Sequence, residues 1–431
     1  MTLAQIKNIP ELVTSYPQQS IITIILFFFI IYFLYRISIK INFISQTIKP
    51  RIYQISVCFV FLTLTLFGTQ LYFPKIIEHN TERHNKFATW KHGGQLYSII
   101  YHHADRKNMF TKLKNFSIKN SPILSLDNHS TPNLMIMILL ESFVPRSEMH
   151  PENYQPFLKK YGFKSTILES PAFGGMSARS EFEILCGIPE VEPLGDMTFN
   201  YLGGKKTDFC LPSLLSNIGY KNISIIGTGS HFHNNKNAYK SLGFDQSISR
   251  DDLNTNDFDG IYPSDLALYD RALAEILNNK NDKLFLYIFT AAGHSPYRFN
   301  LSKRPRLSNN PYLDRITYSE KELEDFLDKL ELLKLDASIV IAGDHANQDT
   351  LENRKIPPAN KKLLRVWTKS KNLKNTMSNC SQYFEIPKFF TNQECEPLNK
   401  KDKGIIGRGE NLPKFAIAEN LILQLIKDSQ R

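Results

Sequence analysis

The chain has 431 residues, with 52 lysines and arginines against 42 aspartates and glutamates, a formal net charge of +10. That length is too great for one small domain and suits a large α/β domain with an appendage; no internal repeat or low-complexity tract is present. The positive charge is spread, with enrichment around Lys112–Lys119 and Lys361–Lys374. Such patches suit a solvated face near anionic lipid headgroups, and the topology read below excludes nucleic-acid binding.

In chain order, the appendage comes first. Ser20–Tyr35 carries no charge, and neither does Ile52–Phe73. A hydrocarbon core about 30 Å thick is crossed by roughly 20 apolar residues as helix, so two transmembrane helices are expected at about 20–36 and 52–73. Lys7 is offset by Glu11 and no small-residue cleavage site follows, so the first run reads as a span rather than a cleaved leader. Arg36, Lys40, Lys49 and Arg51 lie between the runs with no acid among them. The positive-inside rule places that loop in the cytoplasm and everything after Phe73 outside the cytoplasmic membrane, on the periplasmic side. Residues 74–130 form a juxtamembrane connector, in which Trp90 and Leu96–Tyr101 suit surface-lying amphipathic helices.

From residue 131 to 431 an extracytoplasmic catalytic domain is expected. Five apolar runs there end in polar residues: Leu134–Leu140 before Glu141-Ser142, Ser165–Leu168 before Gly174-Gly175-Met176-Ser177, and Ile223–Ile226 before Gly227–His231. Leu284–Phe289 precedes Thr290-Ala291-Ala292-Gly293-His294, and Ser338–Ala342 precedes Gly343-Asp344-His345. Continuous apolar runs bounded by turn signals fit parallel strands buried on both faces. Helical patterns alternate with them at Ser180–Leu185, Leu211–Ile218, Asp265–Leu277 and Tyr318–Leu333, with a closing helix over Phe415–Ile426. The expected fold is an α/β sandwich with a mostly parallel sheet. Residues 375–410 lose the pattern and read as loops with a cysteine-bridged excursion. Short loops favour Cys186 with Cys210 and Cys380 with Cys395, pairings that suit an oxidising compartment.

In parallel sheets, ligands bind beyond the carboxyl ends of the strands. Glu141, Asp344 and His345 would therefore meet there as metal ligands, with Ser177 as a fourth. Two hard oxygens and an imidazole suit one divalent ion, Mn²⁺ or Zn²⁺ rather than Mg²⁺. Ser177, at a helix start, is either an N-cap or a hydroxyl nucleophile activated by the metal. His294 suits a phosphate contact or a proton donor to the leaving group. His231, His233, Asn235 and Lys236 form a polar cluster after another strand, able to hold phosphate, and Arg179 stands two residues beyond Ser177.

Leu139-Leu140-Glu141-Ser142-Phe143, Gly175–Gly187, Leu211–Leu215 with Gly219-Tyr220, Tyr239–Asp245 and Gly343-Asp344-His345 together resemble the lipoteichoic acid synthase group. That group in turn resembles the membrane-anchored phosphoglycerol and phosphoethanolamine transferases of the alkaline phosphatase superfamily. The resemblance, over roughly residues 130–410, implies a metal held by Glu141, Ser177, Asp344 and His345, with Ser177 as nucleophile and His294 at the substrate phosphate. It also implies transfer of a phospholipid headgroup, through a covalent phospho-enzyme, to an envelope glycan or lipid-linked saccharide. The family usually has threonine where Ser177 stands, an Asn-Arg pair where Asn234-Asn235-Lys236 stands, and about five spans. Sulfatases share the fold but need a Cys/Ser-x-Pro-x-Arg setting, which neither Ser177-Ala178-Arg179 nor Cys186-Gly187-Ile188-Pro189 supplies. A phosphodiesterase or phosphatase, and a non-catalytic envelope-assembly protein of the same fold, are the rival readings.

Overall fold

A computed structural model describes Leu124, residues 131–395 apart from short gaps at 173–174, 191–196, 347–348, 350–361, 372–376 and 378, and residues 413–430. The two expected spans and the connector lie outside the described residues. Among the described residues, no helix is long and apolar enough to cross a membrane.

The strands of the domain are β1 (Leu134–Leu140), β2 (Lys164–Glu169), β3 (Tyr220–Ile226), β4 (Gln246–Ile248), β5 (Phe258–Asp259), β6 (Tyr262–Pro263), β7 (Lys283–Phe289), β8 (Ala337–Gly343) and β9 (Leu363–Lys369). The helices are α1 (Arg146–Met149), α2 (Ser177–Cys186), α3 (Leu211–Asn217), α4 (Asn235–Leu242), α5 (Asp265–Asn278), α6 (Pro311–Leu332), α7 (Pro387–Thr391) and α8 (Pro413–Gln430). Seven strands form one sheet in the order β2-β9-β8-β1-β7-β3-β4, and β5 pairs with β6 in a small hairpin. Only β9 runs against the others in the large sheet, because it is antiparallel to both β2 and β8.

This is the mostly parallel α/β architecture expected from the apolar runs. The central strand β1, Leu-Met-Ile-Met-Ile-Leu-Leu, is buried at every position, which a strand covered on both faces requires. β2 departs from the expectation. It is an edge strand with its first four residues exposed or half-exposed, so it is not buried on both faces. Its direction nevertheless brings its carboxyl end to the same edge as β1 and β8.

α3 packs on β3, while α5 packs on β3, β7 and α6. α6 begins at Pro311, seven residues before the expected Tyr318. Asn310 accepts a hydrogen bond from Leu313 N at 3.1 Å and caps it, with proline in the first turn where no N–H is needed. The polar residues of that turn, Asp314 and Arg315, are buried through ion pairs, which hides the apolar periodicity. Both expected disulfides are present, Cys186–Cys210 and Cys380–Cys395. The first ties the last residue of α2 to the residue preceding α3.

Candidate active site

Register, not chance proximity, assembles the site. β1 pairs in parallel with β7 through Leu139↔Phe289 and with β8 through Leu140↔Gly343. The next residues, Glu141, Thr290 and Asp344, therefore emerge side by side at one sheet edge. Glu141 N donates to Thr290 Oγ1 at 3.0 Å, and Asp344 N donates to Leu140 O at 2.9 Å. Gly293 lets the β7 loop close over this seam, since a Cβ there would lie 2.1 Å from Glu141 O.

Three of the four residues expected as metal ligands come together in the structure. Donor atoms of Glu141, Asp344 and His345, all buried, lie within 4.8 Å of one another. His345 Nε2 is 3.6 Å from Glu141 Oε1 and 3.3 Å from Asp344 Oδ2. Neither carboxylate has a lysine or arginine partner among the described residues, and Asp344 Oδ2 is buried with no hydrogen bond. Burial, reinforced by the nearby Asp344 charge, pushes the Glu141 carboxyl up to about 8. Two desolvated carboxylates without a counter-charge are costly. A divalent cation would supply that charge, so the donor set fits a metal.

Asp344 is held from behind. Its Oδ1 accepts from Ser142 N at 2.6 Å and His345 N at 2.7 Å, which leaves Oδ2 facing the other two donors. Its carbonyl accepts from Ser180 Oγ at 2.5 Å and Ser170 Oγ at 2.7 Å. Sequence reading missed both serines. Ser180 lies one turn beyond Ser177 and had a helical-spacing signal, whereas Ser170 had none.

Ser177 is not the N-cap. Met176 occupies that position in the left-handed region, at φ 69°, without a side-chain capping bond, and Ser177 is the first residue of α2. Its hydroxyl is thereby available to donate to Glu141 Oε2 at 3.2 Å. The turn sets the nucleophile candidate against the metal-ligand candidates, at a helix start where free N–H groups favour anions.

His294 lies at the end of the β7 loop, half-exposed, with Nδ1 2.7 Å from Ser295 O and its ring 5.7 Å from that of Tyr262. A donating Nδ1–H leaves Nε2 for a substrate. The 231–236 cluster divides. Asn235 opens α4 and is buried, its Nδ2 donating to Thr228 Oγ1 at 3.0 Å while its Oδ1 has no partner. His231 and Lys236 are exposed on the outer side of the same turn, and Arg179 is half-buried on α2. The structure thus draws Glu141, Ser177, Asp344 and His345 together, and among the described residues no hydrogen bond or ion pair joins His231 or Lys236 to them.

A second buried group, unforeseen from sequence, joins the same elements. Glu181 on α2 accepts hydrogen bonds from Tyr239 of α4 and, at 2.9 Å, from Tyr287 of β7. Burial pushes its carboxyl up to about 7.

Comparison with known proteins places these features in a lineage. The sulfatase family model matches residues 133–364, more than half of the chain. A Rhizobium meliloti protein, provisionally named for cyclic beta-1,2-glucan modification, is 28% identical over 233 residues, 49% of this chain and 35% of that protein. Phosphoglycerol transferase I of Salmonella paratyphi B is 24% identical over 180 residues, 37% of this chain and 23% of that protein. The chain therefore spans well under half the length of these curated relatives. The crystal structure of the lipoteichoic acid synthase LtaP from Listeria monocytogenes superposes with a TM-score of 0.52 at 19% identity, over 68% of this chain and 79% of that one.

Proposed function

The chain belongs to the sulfatase family of the alkaline phosphatase superfamily, and on that footing we propose that it is a phospholipid headgroup transferase rather than a sulfate-ester hydrolase. The observation that carries this reading is the serine hydroxyl at the start of α2, aimed at Glu141 inside a buried Glu-Asp-His cluster. A sulfatase needs its nucleophile in a Cys/Ser-x-Pro-x-Arg setting, and Ser177-Ala178-Arg179 lacks the proline. The name of the Salmonella relative, a phosphoglycerol transferase, supports the same reaction class.

Glu141, Asp344 and His345, with Ser177 as a fourth donor, would hold one divalent ion, Mn²⁺ or Zn²⁺. When bound, that ion lowers the pKa of a hydroxyl and offsets phosphoryl charge. Ser177 Oγ gives its proton to water and attacks the phosphorus of a phosphoglycerol or phosphoethanolamine lipid. The bond from phosphorus to the diacylglycerol oxygen breaks, and His294 Nε2 protonates that oxygen. In the second half, an envelope glycan or lipid-linked saccharide hydroxyl gives its proton to His294 and attacks phosphorus. The Ser177 Oγ–phosphorus bond then breaks and Ser177 takes a proton back from water. Asn235 Oδ1, buried and without a partner, suits a hydroxyl of the headgroup, and the exposed His231 and Lys236, with Arg179, suit the outer phosphate approach.

Residues 1–73 anchor the enzyme in the cytoplasmic membrane through two spans, 74–130 connect, and 131–431 carry out the reaction on the outer, periplasmic side. Two disulfides support that oxidising compartment. The test is diacylglycerol release from phosphatidylglycerol and phosphatidylethanolamine by the metal-loaded full chain. Release from one of them, lost in Ser177→Ala with metal content retained, is expected. Release undiminished in Ser177→Ala would overturn the nucleophile assignment.

A further inference from the structure

The loop that leaves the catalytic edge after His294 has a composition the reaction does not use. Residues 298–307 read Arg-Phe-Asn-Leu-Ser-Lys-Arg-Pro-Arg-Leu, four cations and no acid. Leu301 is 63% exposed and Leu307 is 56% exposed. One exposed leucine on a surface is ordinary. Two on one short basic loop, held in place by the interior, are not explained by folding.

The hold is extensive. Arg304 is buried, and its guanidinium donates to both Asp257 oxygens at 2.9 Å each and also pairs with Glu322. Asn300 N donates to Asp259 Oδ1 at 2.8 Å, Arg304 N to Asn300 O at 2.7 Å, and Tyr318 OH to Pro305 O at 2.6 Å. With the backbone pinned from beneath, the two leucine side chains point to solvent and have no slack to fold back. Among the loop's cations, Lys303 and Arg306 are exposed beside Asp257 and Asp314, and the exposed Arg298 has no ion pair among the described residues. Arg298, Leu301 and Arg306 also border a cavity of about 370 Å³ with Gly260, Phe299 and Tyr297, the last three residues from His294.

Apolar tips flanked by cations are the features of a segment resting at an anionic lipid interface, where leucine enters the headgroup–acyl boundary and arginine meets phosphate. We propose that loop 298–308 rests on the anionic bilayer surface, with Leu301 and Leu307 inserted, so that the catalytic edge opens towards lipid phosphates. Other exposed leucines provide an internal contrast. Leu277 and Leu332 lie near the C-terminal ends of α5 and α6, just before β7 and β8 begin, and so at the opposite edge of the sheet.

The experiment reconstitutes the full chain in phosphatidylglycerol-containing vesicles, with plain or brominated acyl chains, as Leu301→Trp and as Leu332→Trp. The parent already holds Trp90 and Trp367, so quenching is read as the excess over the parent. The tryptophan of Leu301→Trp is expected to lose more than about half of its emission to brominated lipid, and that of Leu332→Trp to lose none. No excess quenching in Leu301→Trp, or equal quenching in Leu332→Trp, overturns the proposal. The contact serves the lipid-donor reaction proposed above and rests on that reading for its purpose. Because quenching needs no turnover, a quenched but inactive protein would refute the reaction alone, and an active, unquenched one the contact alone.

Discussion

Gly293→Ala tests whether the seam between β1 and β7 sets the geometry of the site. The added methyl would begin 2.1 Å from Glu141 O and 3.3 Å from Glu141 Cβ. Ordinary C···O approaches are about 3.3 Å, so the loop or the Glu141 backbone must move by roughly 1 Å. Gly293 is not in the left-handed region, so the effect is steric rather than conformational. Overpacking of this kind costs about 1–3 kcal/mol, a fall of roughly 2–10 °C in melting temperature for a domain of this size. The displaced group is Glu141, which also receives the Ser177 hydroxyl, and a shift of about 1 Å there is expected to lower turnover by roughly 100-fold. Gly219→Ala is the control. Its φ of +88° disfavours a side chain, yet nothing lies within 4 Å, and it precedes β3 at the opposite edge. It should cost about 1 kcal/mol of stability and leave turnover intact. Melting curves and diacylglycerol release measure both quantities. Full turnover and unchanged melting in Gly293→Ala would refute the close packing of the loop on Glu141.

Three further outcomes are expected. Arg315→Met, at a fully buried guanidinium that pairs with Asp259 at 2.6 Å and with Asp265 and Glu322 at 3.5 Å, strands buried carboxylates and should cost about 3–5 kcal/mol in urea denaturation. Replacing Cys186 and Cys210 together by alanine opens a loop of sequence separation 24 and should cost about 3–4 kcal/mol; an unchanged denaturation midpoint would deny the bridge a stabilising role. Glu181 keeps its proton to about pH 7 when folded against an unfolded value of 4.5, so its contribution is fullest below 4.5 and is lost as pH rises through 7. Glu181→Gln should therefore flatten the decline of melting temperature between these values, by at most about 3 kcal/mol; an identical slope would place the proton elsewhere.

The central strands β1, β7 and β8 were legible because they are buried at nearly every position. Leu134–Leu140 and Leu284–Phe289 are continuous apolar runs, and a parallel strand covered on both faces leaves no other pattern to write. The register then delivers Glu141 and Asp344 together, which the strand ends already suggested. β9 was not legible. It carries Arg365 and Lys369 at half-exposed positions paired with Glu148 and Glu331, so its sequence reads as a basic surface patch. α4 was hidden for a similar reason: it opens on the polar Asn235-Lys236-Asn237, and its apolar contacts come only from Ala238, Tyr239 and Leu242. The supports behind Asp344 escaped because a serine that donates to one carbonyl, as Ser170 and Ser180 do, leaves no periodic trace.

In the proposed reaction, Ser177 carries the headgroup between donor and acceptor. Peptide mass spectrometry of the metal-loaded protein, after separate incubation with phosphatidylglycerol and phosphatidylethanolamine, tests it most directly. A mass increase on the peptide bearing Ser177, equal to phosphoglycerol or phosphoethanolamine with one lipid, is expected, and none in Ser177→Ala. Diacylglycerol release by folded, metal-loaded protein with the adduct on a different residue, or release undiminished in Ser177→Ala, would refute that role.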